Sequence, residues 1–213
     1  MKKMLLALCC VLLIGVPQFA FAQQAFDFLG QANIPTTIGN PLSMYSVVQE
    51  GSGLVVPPLP LDFANYDYTV VVTGANLLTD TGNAQTFAAG VITIYEDNAT
   101  VADYANPGTF TDGTAILSGV ISGLSRSDVT LTIPPFARQI SILGTVDWTG
   151  GTHLDDLAPA DQTNWPFLAA GSREAGNVEP GYDEQWDGKV EPREPVVGSE
   201  STSFGGLKAG FDK

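Results

Sequence analysis

The 213-residue chain is acidic, with 23 Asp and Glu against 9 Lys and Arg and a formal net charge of −14 at pH 7. This balance argues against nucleic acids and anionic membrane surfaces as partners, because both are bound by clusters of Lys and Arg. The 23 Gly and 14 Pro are typical of short strands joined by many turns rather than of a helical protein.

The first 22 residues have the three parts of a secretory signal peptide. Lys2 and Lys3 form a positively charged start, residues 4–16 are apolar, and residues 20–22 read Ala-Phe-Ala, a small-x-small cleavage site. The apolar run is shorter than the roughly 20 residues that a membrane span needs. We therefore expect a protein exported outside the cell or to the cell surface, with no membrane span after cleavage.

Both cysteines of the chain, Cys9 and Cys10, lie inside this leader. Cleavage would leave no cysteine, which excludes disulfides, thiolate metal sites and cysteine catalysis and leaves stability to a hydrophobic core. We expect one domain over residues 23–190. Residues 191–213 are rich in Pro, Glu, Ser and Gly without periodicity, which predicts a flexible tail.

Apolar and polar residues alternate through the middle of the chain, as they do in half-buried strands. In "YDYTVVVTG" (66–74), Tyr66, Tyr68, Val70 and Val72 share one predicted face. The prolines of 54–63 exclude a central strand there, and "GTHLDDLAPA" (151–160) predicts one short helix capped by Thr152. Other strand-like segments cover 43–50, 86–97, 114–124, 128–133 and 139–151. Their spacing predicts an all-β, antiparallel β-sandwich or jelly-roll-like domain.

The sequence carries no recognisable catalytic system. His153 is the one histidine, which excludes a multi-histidine metal site, and no G-x-S-x-G, Walker or dinucleotide-binding motif occurs. A glycoside hydrolase would need two carboxylates facing each other across a cleft, whereas neighbouring acids on a strand point to opposite faces. We therefore expect no enzyme, with a glycoside hydrolase as the weakest alternative.

One polar loop, "EDNATVADYANPGTFTDG" (96–113), has the oxygen-rich composition that calcium prefers. It lacks the EF-hand pattern. Calcium is the one candidate cofactor, and the candidate ligands are Glu96, Asp97, Asp103 and Asp112.

The segment "GYDEQWDGKV" (181–190) has two interpretations. Tyr182 and Trp186, with Trp148, could present aromatic faces to a sugar ring. Alternatively, the segment is the last strand, with its aromatic residues in the core and Asp187-Gly188 as a turn or bulge. The structural interpretation is favoured, and the sugar site is kept as a hypothesis.

The blocks "GVITIYEDNATVADYANPGTFTDGTAILSG", "GTVDWTGGTHLDDL" and "GYDEQWDGKV" resemble uncharacterised secreted β-rich proteins of environmental bacteria. The resemblance implies a β fold and export, and no activity. We therefore predict an exported, non-enzymatic module with a structural or binding role at the cell envelope or outside the cell. The alternative is a carbohydrate-binding module with a structural calcium. Its partners would be glycans or other envelope or extracellular components.

Overall fold

The computed structural model describes residues 23–51, 55–130 and 138–193. The predicted signal peptide (1–22) and residues 194–213 of the predicted tail lie outside these ranges. Among the residues so described, no helix is long and apolar enough to cross a membrane.

The described residues are all-β, as predicted. The strands are β1 (Gln23–Gln24), β2 (Phe26–Asn33), β3 (Pro41–Val48), β4 (Val55–Val56), β5 (Asp67–Asp80), β6 (Ala84–Phe87), β7 (Gly90–Asp97), β8 (Thr114–Thr130), β9 (Arg138–Gly150), β10 (Trp165–Ser172) and β11 (Glu184–Val190). Three 3-10 turns cover Pro107–Phe110, Leu154–Asp156 and Pro159–Asp161.

Eight of these strands close into one antiparallel barrel rather than the sandwich or jelly roll expected. Its order is β2, β3, β5, β7, β8, β9, β10 and β11, and β11 pairs back onto β2 with Trp186 opposite Gly30. A single sheet that curls until its last strand meets its first buries its apolar face without a second sheet. The antiparallel, all-β prediction is confirmed.

Two segment predictions need correction. The long strand predicted over 86–97 is broken, because β6 and β7 lie end to end between β5 and β8. The two strands predicted over 114–124 and 128–133 are instead continuous in β8 as far as Thr130. β8 continues through this point because a bulge between Ser122 and Ser125, with Gly123 at φ 60°, accommodates the shift in register.

The predictions for the proline-rich segment (54–63) and for a helix at 151–160 agree only partly with the structure. The proline-rich segment contributes only β4, which pairs in parallel with β1 beside the barrel. The predicted helix at 151–160 is two 3-10 turns. His153 rather than Thr152 precedes the first of these turns, and no side chain caps it.

The barrel interior is packed with apolar side chains. Val70 and Val72 point inward and are fully buried, as the alternation predicted. Aromatic rings fill the centre, with Phe28 and Phe167 stacked at 5.3 Å between ring centroids. Burial of each large side chain contributes roughly 1.5–3 kcal/mol, which makes this core the main source of stability.

Residues 98–113, which we call the outer strap, fold back over the outside of the barrel. Val71 points outward from β5 yet is 5% exposed, and the turn Pro107–Phe110 of the strap contacts this strand. The Thr69 hydroxyl donates to the carbonyl of Phe110 at 2.7 Å, and the Tyr104 hydroxyl donates to the carbonyl of Leu29 at 3.2 Å. Residues 98–113 of the loop predicted to bind calcium therefore pack against the outside of the barrel.

The two ends of the barrel differ in chemistry. One end is aromatic, where Trp165 packs edge-on against Trp148 and stacks near Phe26. The other end is formed by the end of β2, the β5–β6 turn, the far part of β8, and residues 173–183. Charged side chains enter the barrel there, and this end holds the candidate site.

Candidate binding site at the charged mouth of the barrel

The three aromatic residues predicted to bind sugar do not form a common surface. Trp148 and Trp186 are 2% and 0% exposed, because strand alternation turns both into the barrel. Neither presents an exposed ring face beside Tyr182. Tyr182 lies on the outside, where its hydroxyl donates to the carbonyl of Tyr104 at 3.1 Å and its ring packs against the outer strap.

The Asp187-Gly188 pair is not the predicted turn. Both residues continue β11, and Gly188 lies between Phe28 on β2 and Ala169 on β10. A Cβ on Gly188 would lie 2.4 Å from the carbonyl oxygen of Leu168. Glycine is needed here for close strand packing rather than for a turn.

Two of the predicted calcium ligands satisfy neighbouring backbone groups. Asp97 accepts hydrogen bonds from the backbone N–H groups of Thr100 at 2.8 Å and Ala99 at 3.0 Å, and these bonds lower its pKa. Asp103 accepts one from Ala105 at 2.9 Å. Both carboxylates therefore stabilise turns of the strap.

The other two predicted ligands, Glu96 and Asp112, have different surroundings. Glu96 accepts a hydrogen bond from the Tyr68 hydroxyl at 2.8 Å, and Asp112 is exposed. Within the described ranges, no group of three or more His, Cys, Asp or Glu side chains is arranged to hold a metal ion. The structure does not bring the four predicted ligands together.

The charged end instead assembles residues that the sequence interpretation passed over. Three of the four arginines in the chain, Arg126, Arg138 and Arg173, converge on Asp128 and Glu184. We call these five residues the charged mouth. Arg126 and Asp128 are two residues apart on β8, so both point into the barrel.

Arg126 is the centre of the charged mouth and is 3% exposed. Its Nε lies 3.0 Å from both carboxylate oxygens of Glu184, and its Nη2 donates to Asp128 at 2.7 Å. Its Nη1 donates to the side-chain oxygen of Gln85 at 3.3 Å. Burial disfavours the charged guanidinium, but these hydrogen bonds outweigh it and raise the pKa of Arg126.

Glu184 is a fully buried carboxylate that is satisfied from three sides. Besides Arg126, it accepts hydrogen bonds from Arg173 Nε at 2.7 Å and from the indole N–H of Trp186 at 3.0 Å. An unpaired carboxylate at this depth would be strongly unfavourable. These donors are therefore what allows a charge to sit inside the barrel.

Asp128 links the buried arginine to the exposed rim. Arg138 donates to it through Nε at 2.7 Å and Nη2 at 2.6 Å, a two-pronged contact. The hydrogen bonds from Arg138 lower the pKa of Asp128 to about 2, with help from Arg126 and against the opposing effect of burial. Asp128 therefore stays ionised at any physiological pH.

Among the described residues, the two outer arginines have hydrogen-bond donors without a partner. Arg138 and Arg173 are 47% and 35% exposed. Across the part of the chain that the structure describes, no hydrogen bond engages Nη1 of Arg138 or Nη2 of Arg173. Three guanidinium groups against two carboxylates leave the charged mouth with one excess positive charge, in a chain that is otherwise strongly acidic.

An open cavity of about 370 Å³ lies above the charged mouth. This volume is within the range of small-molecule sites, about 300–1,000 Å³. Its rim is fixed by hydrogen bonds to backbone N–H groups, since Asp80 accepts from Gly82 at 2.7 Å and Asp183 accepts from Ile34 at 2.7 Å. The walls comprise Ile34, Thr36, Asp80, Gly82, Gln85 and Asp183, besides the arginines and Asp128.

A smaller cavity of about 240 Å³ lies between residues 63–67 and 97–101 at the aromatic end. It carries Asp67 and Asp97, which face each other across β5 and β7, and no basic residue lines it. It offers no convergent set of donors comparable to the charged mouth.

A sequence signal for the charged mouth did exist. In "LSRSDVT" (124–130), Leu124, Arg126 and Asp128 alternate with serines and so share one face of a strand. Two opposite charges on the same face as a leucine indicate an inward ion pair. The predicted strands 114–124 and 128–133 leave Arg126 between them, which conceals that face.

Comparison with protein-family models, with curated proteins and with solved structures found no match. The resemblance to secreted β-rich proteins therefore stays a prediction. Any proposal of function must stand on the geometry of the chain itself.

Proposed function

We propose that this protein is an exported, non-enzymatic binding module that holds a small polar ligand at the charged mouth of its barrel. The observation that carries the proposal is the open cavity of about 370 Å³ whose floor is built from three of the four arginines. Export is supported by the signal-peptide pattern of residues 1–22.

Stability alone does not explain why charged residues form the floor of the cavity. A buried ion pair loses several kcal/mol of hydration per ion, and well-packed apolar side chains in its place are often equally or more stabilising. Arg126 and Glu184 could therefore be replaced by aliphatic residues if the barrel only needed a plug. A polar ligand gives a reason to retain fixed charges at this end.

The packing of the barrel favours the mouth over the interior as the binding site. Barrels of eight strands are just wide enough for side chains to fill, or for one small ligand. Here Phe28, Phe167 and Trp186 occupy the centre. The ligand would thus be held at the end of the barrel, where the charged residues are.

The electrostatics of the mouth support binding rather than catalysis. A general base works best with a pKa close to the working pH. Asp128 is held ionised by Arg138 with a pKa of about 2, and Glu184 is committed to Arg126, Arg173 and Trp186. Both carboxylates are occupied as hydrogen-bond acceptors within the charged mouth, so we assign the site no reaction.

A fragment screen followed by backbone amide NMR tests the proposal. We expect binders to shift the amide signals of Ile34, Thr36 and Gly82, which line the cavity, and to leave Gly151 at the opposite end unchanged. Hits that shift only residues of the outer strap, or no hit at the mouth, would reject the site.

The proposed export has its own test. Mass spectrometry of the protein recovered outside the cytoplasm should show a chain that begins at Gln23. An intact Met1 terminus on protein that stays in the cytoplasm would reject export without affecting the proposed binding site.

A further inference from the structure

We propose that the ligand of the charged mouth carries a single carboxylate, and that Arg138 and Arg173 bind it. This inference rests on the proposed binding function and names the chemical class of the ligand. The residues concerned come from the start of β9 and from the loop after β10, on either side of the cavity.

The outer arginines offer hydrogen-bond donors to a ligand. Arg138 directs Nε and Nη2 at Asp128, and Arg173 directs Nε at Glu184. Each guanidinium therefore has an amino group that no described residue engages, and both side chains line the cavity. The planar guanidinium matches the two oxygens of a carboxylate, and such charge-assisted hydrogen bonds are about twice as strong as neutral ones.

Buried carboxylates hold the outer arginines in place. Asp128 and Glu184 are 7% and 0% exposed, and each is held by Arg126 as well as by an outer arginine. They fix the two outer guanidinium groups before a ligand arrives, so less side-chain entropy is lost on binding. Asp128 and Glu184 are positioning residues in this proposal, and they do not contact the ligand.

The charges around the cavity favour a ligand with a single negative charge. The five residues of the charged mouth carry one excess positive charge. Asp80 and Asp183 stand on the rim of the same cavity. Because these two rim acids offset that excess, the attraction is local to the outer arginines, and a dianion such as phosphate would be repelled more strongly than a monoanion.

The body of the ligand is small and of mixed polarity. The cavity of about 370 Å³ has Ile34 and Thr36 on a wall beside the arginines. A sugar acid, a simple organic acid and an amino acid all supply the required carboxylate. The three sources differ in hydroxyl groups and in positive charge, and they are separated by the choice of probe.

The experiment is a titration of the arginine Nε–H signals in a ¹H–¹⁵N NMR spectrum of the purified protein. The chain has four arginines, and Arg193 lies outside the cavity, so its signal is an internal control. The probes are D-glucuronate, acetate and glycine. D-Glucose, which lacks the carboxylate of D-glucuronate, and inorganic phosphate are the controls.

We expect at least one carboxylate probe to shift the signals of Arg138 and Arg173 saturably at millimolar concentration, with Arg193 unmoved and D-glucose silent. Equal, unsaturating shifts at all exposed arginines would mean an ionic-strength effect and would overturn the inference. Tighter binding of phosphate than of every carboxylate would overturn it as well, because the charge argument would then be wrong.

Matched variants locate the contact. Arg138→Gln and Arg173→Gln should each weaken binding of the best probe by about tenfold or more, equivalent to about 1.4 kcal/mol, and Arg193→Gln should not change it. Arg138→Lys and Arg173→Lys retain the charge without the planar fork and should show an intermediate loss. Dispersed amide signals in each variant establish that it is folded, and unchanged affinity in both glutamine variants would overturn the inference.

Failure of this inference is distinguishable from failure of the proposed function. One outcome is that a neutral fragment shifts the amide signals of Ile34 and Thr36 while the arginine signals stay unmoved. That result would support a binding site at the mouth and would reject a carboxylate as its ligand. If no compound of any class perturbs the mouth, both proposals fall.

Discussion

Arg126 and Glu184, separated by 58 residues in the chain, form a buried ion pair inside the barrel, with Arg126 Nε 3.0 Å from both carboxylate oxygens. The pair joins β8 to β11 across the barrel interior. It also holds Asp128 and Arg173 in place, so removing the pair should disturb the other residues of the charged mouth.

Removing one partner of this pair should be strongly destabilising. Glu184→Gln leaves Arg126 buried without its main counter-charge, and we expect the free energy of unfolding to fall by about 3–5 kcal/mol. The measurement is urea unfolding of the single variants Glu184→Gln and Arg126→Met and of the double variant.

The double variant is the control for this prediction. Because it leaves neither residue as an uncompensated buried charge, its loss of stability should be clearly smaller than the sum of the two single losses. Additive losses would mean that the two residues do not depend on each other, contrary to the structure.

Stability should fall with acidification through the protonation of Asp128. Its pKa is lowered from 3.8 to about 2, so its ionised form stabilises the folded state above pH 4, and this contribution disappears as the pH falls towards 2. The contribution is about 2 kcal/mol. We expect Asp128→Asn to show a shallower loss of unfolding free energy over this interval than the wild type.

Arg138→Gln tests the cause of that shift. The hydrogen bonds from Arg138 are the largest influence on Asp128, so their removal should raise the pKa of Asp128 and move the acid-induced loss of stability to higher pH. An unchanged pH profile in this variant would show that Arg138 is not responsible.

The outer strap should contribute to stability through Phe110. This side chain is 1% exposed, and its ring packs against Tyr104 at 4.9 Å between centroids. Phe110→Ala should lower the free energy of unfolding by about 3–5 kcal/mol. Val101→Ala, in the same strap but at a position 77% exposed, should change it by less than about 0.5 kcal/mol. Similar effects of both substitutions in urea unfolding would contradict the packing described.

The tryptophans should be inaccessible in the folded protein. Trp148, Trp165 and Trp186 are the three tryptophans of the chain, and all are 2% exposed or less. Acrylamide should therefore quench their fluorescence much less in the native protein than after unfolding in urea. Efficient quenching of the native protein would place at least one indole at the surface and would reopen the aromatic sugar-binding hypothesis.

Local alternation predicted much of the fold. Tyr68, Val70 and Val72 were assigned to one face from their period of two, and all three are buried in the core. Barrel closure was not predictable in this way, because it depends on the pairing of β11 with β2, about 150 residues away, and no local pattern encodes that register. A sandwich and a barrel present the same alternation in each strand.

The candidate site was harder to predict than the fold, for a related reason. The sequence predicts sugar and calcium sites from aromatic residues and an acidic loop, because these are the usual groups of such sites. Trp186 and Trp148 turned out to be core residues, and Asp97 and Asp103 stabilise turns. The charged mouth combines four separate parts of the chain, and only the spacing of Arg126 and Asp128 was visible locally.

The most direct test of the account compares two surfaces with one ligand. Calorimetric titration of the carboxylate probe that binds best should be run on the wild type, on Arg173→Gln at the mouth and on Tyr182→Ala on the outside of the barrel, after thermal melting has shown that each is folded. We expect saturable binding to the wild type, a loss of affinity of about tenfold or more in Arg173→Gln, and no change in Tyr182→Ala. Loss of binding in Tyr182→Ala with full affinity in Arg173→Gln would place the ligand on the outer wall and contradict the account.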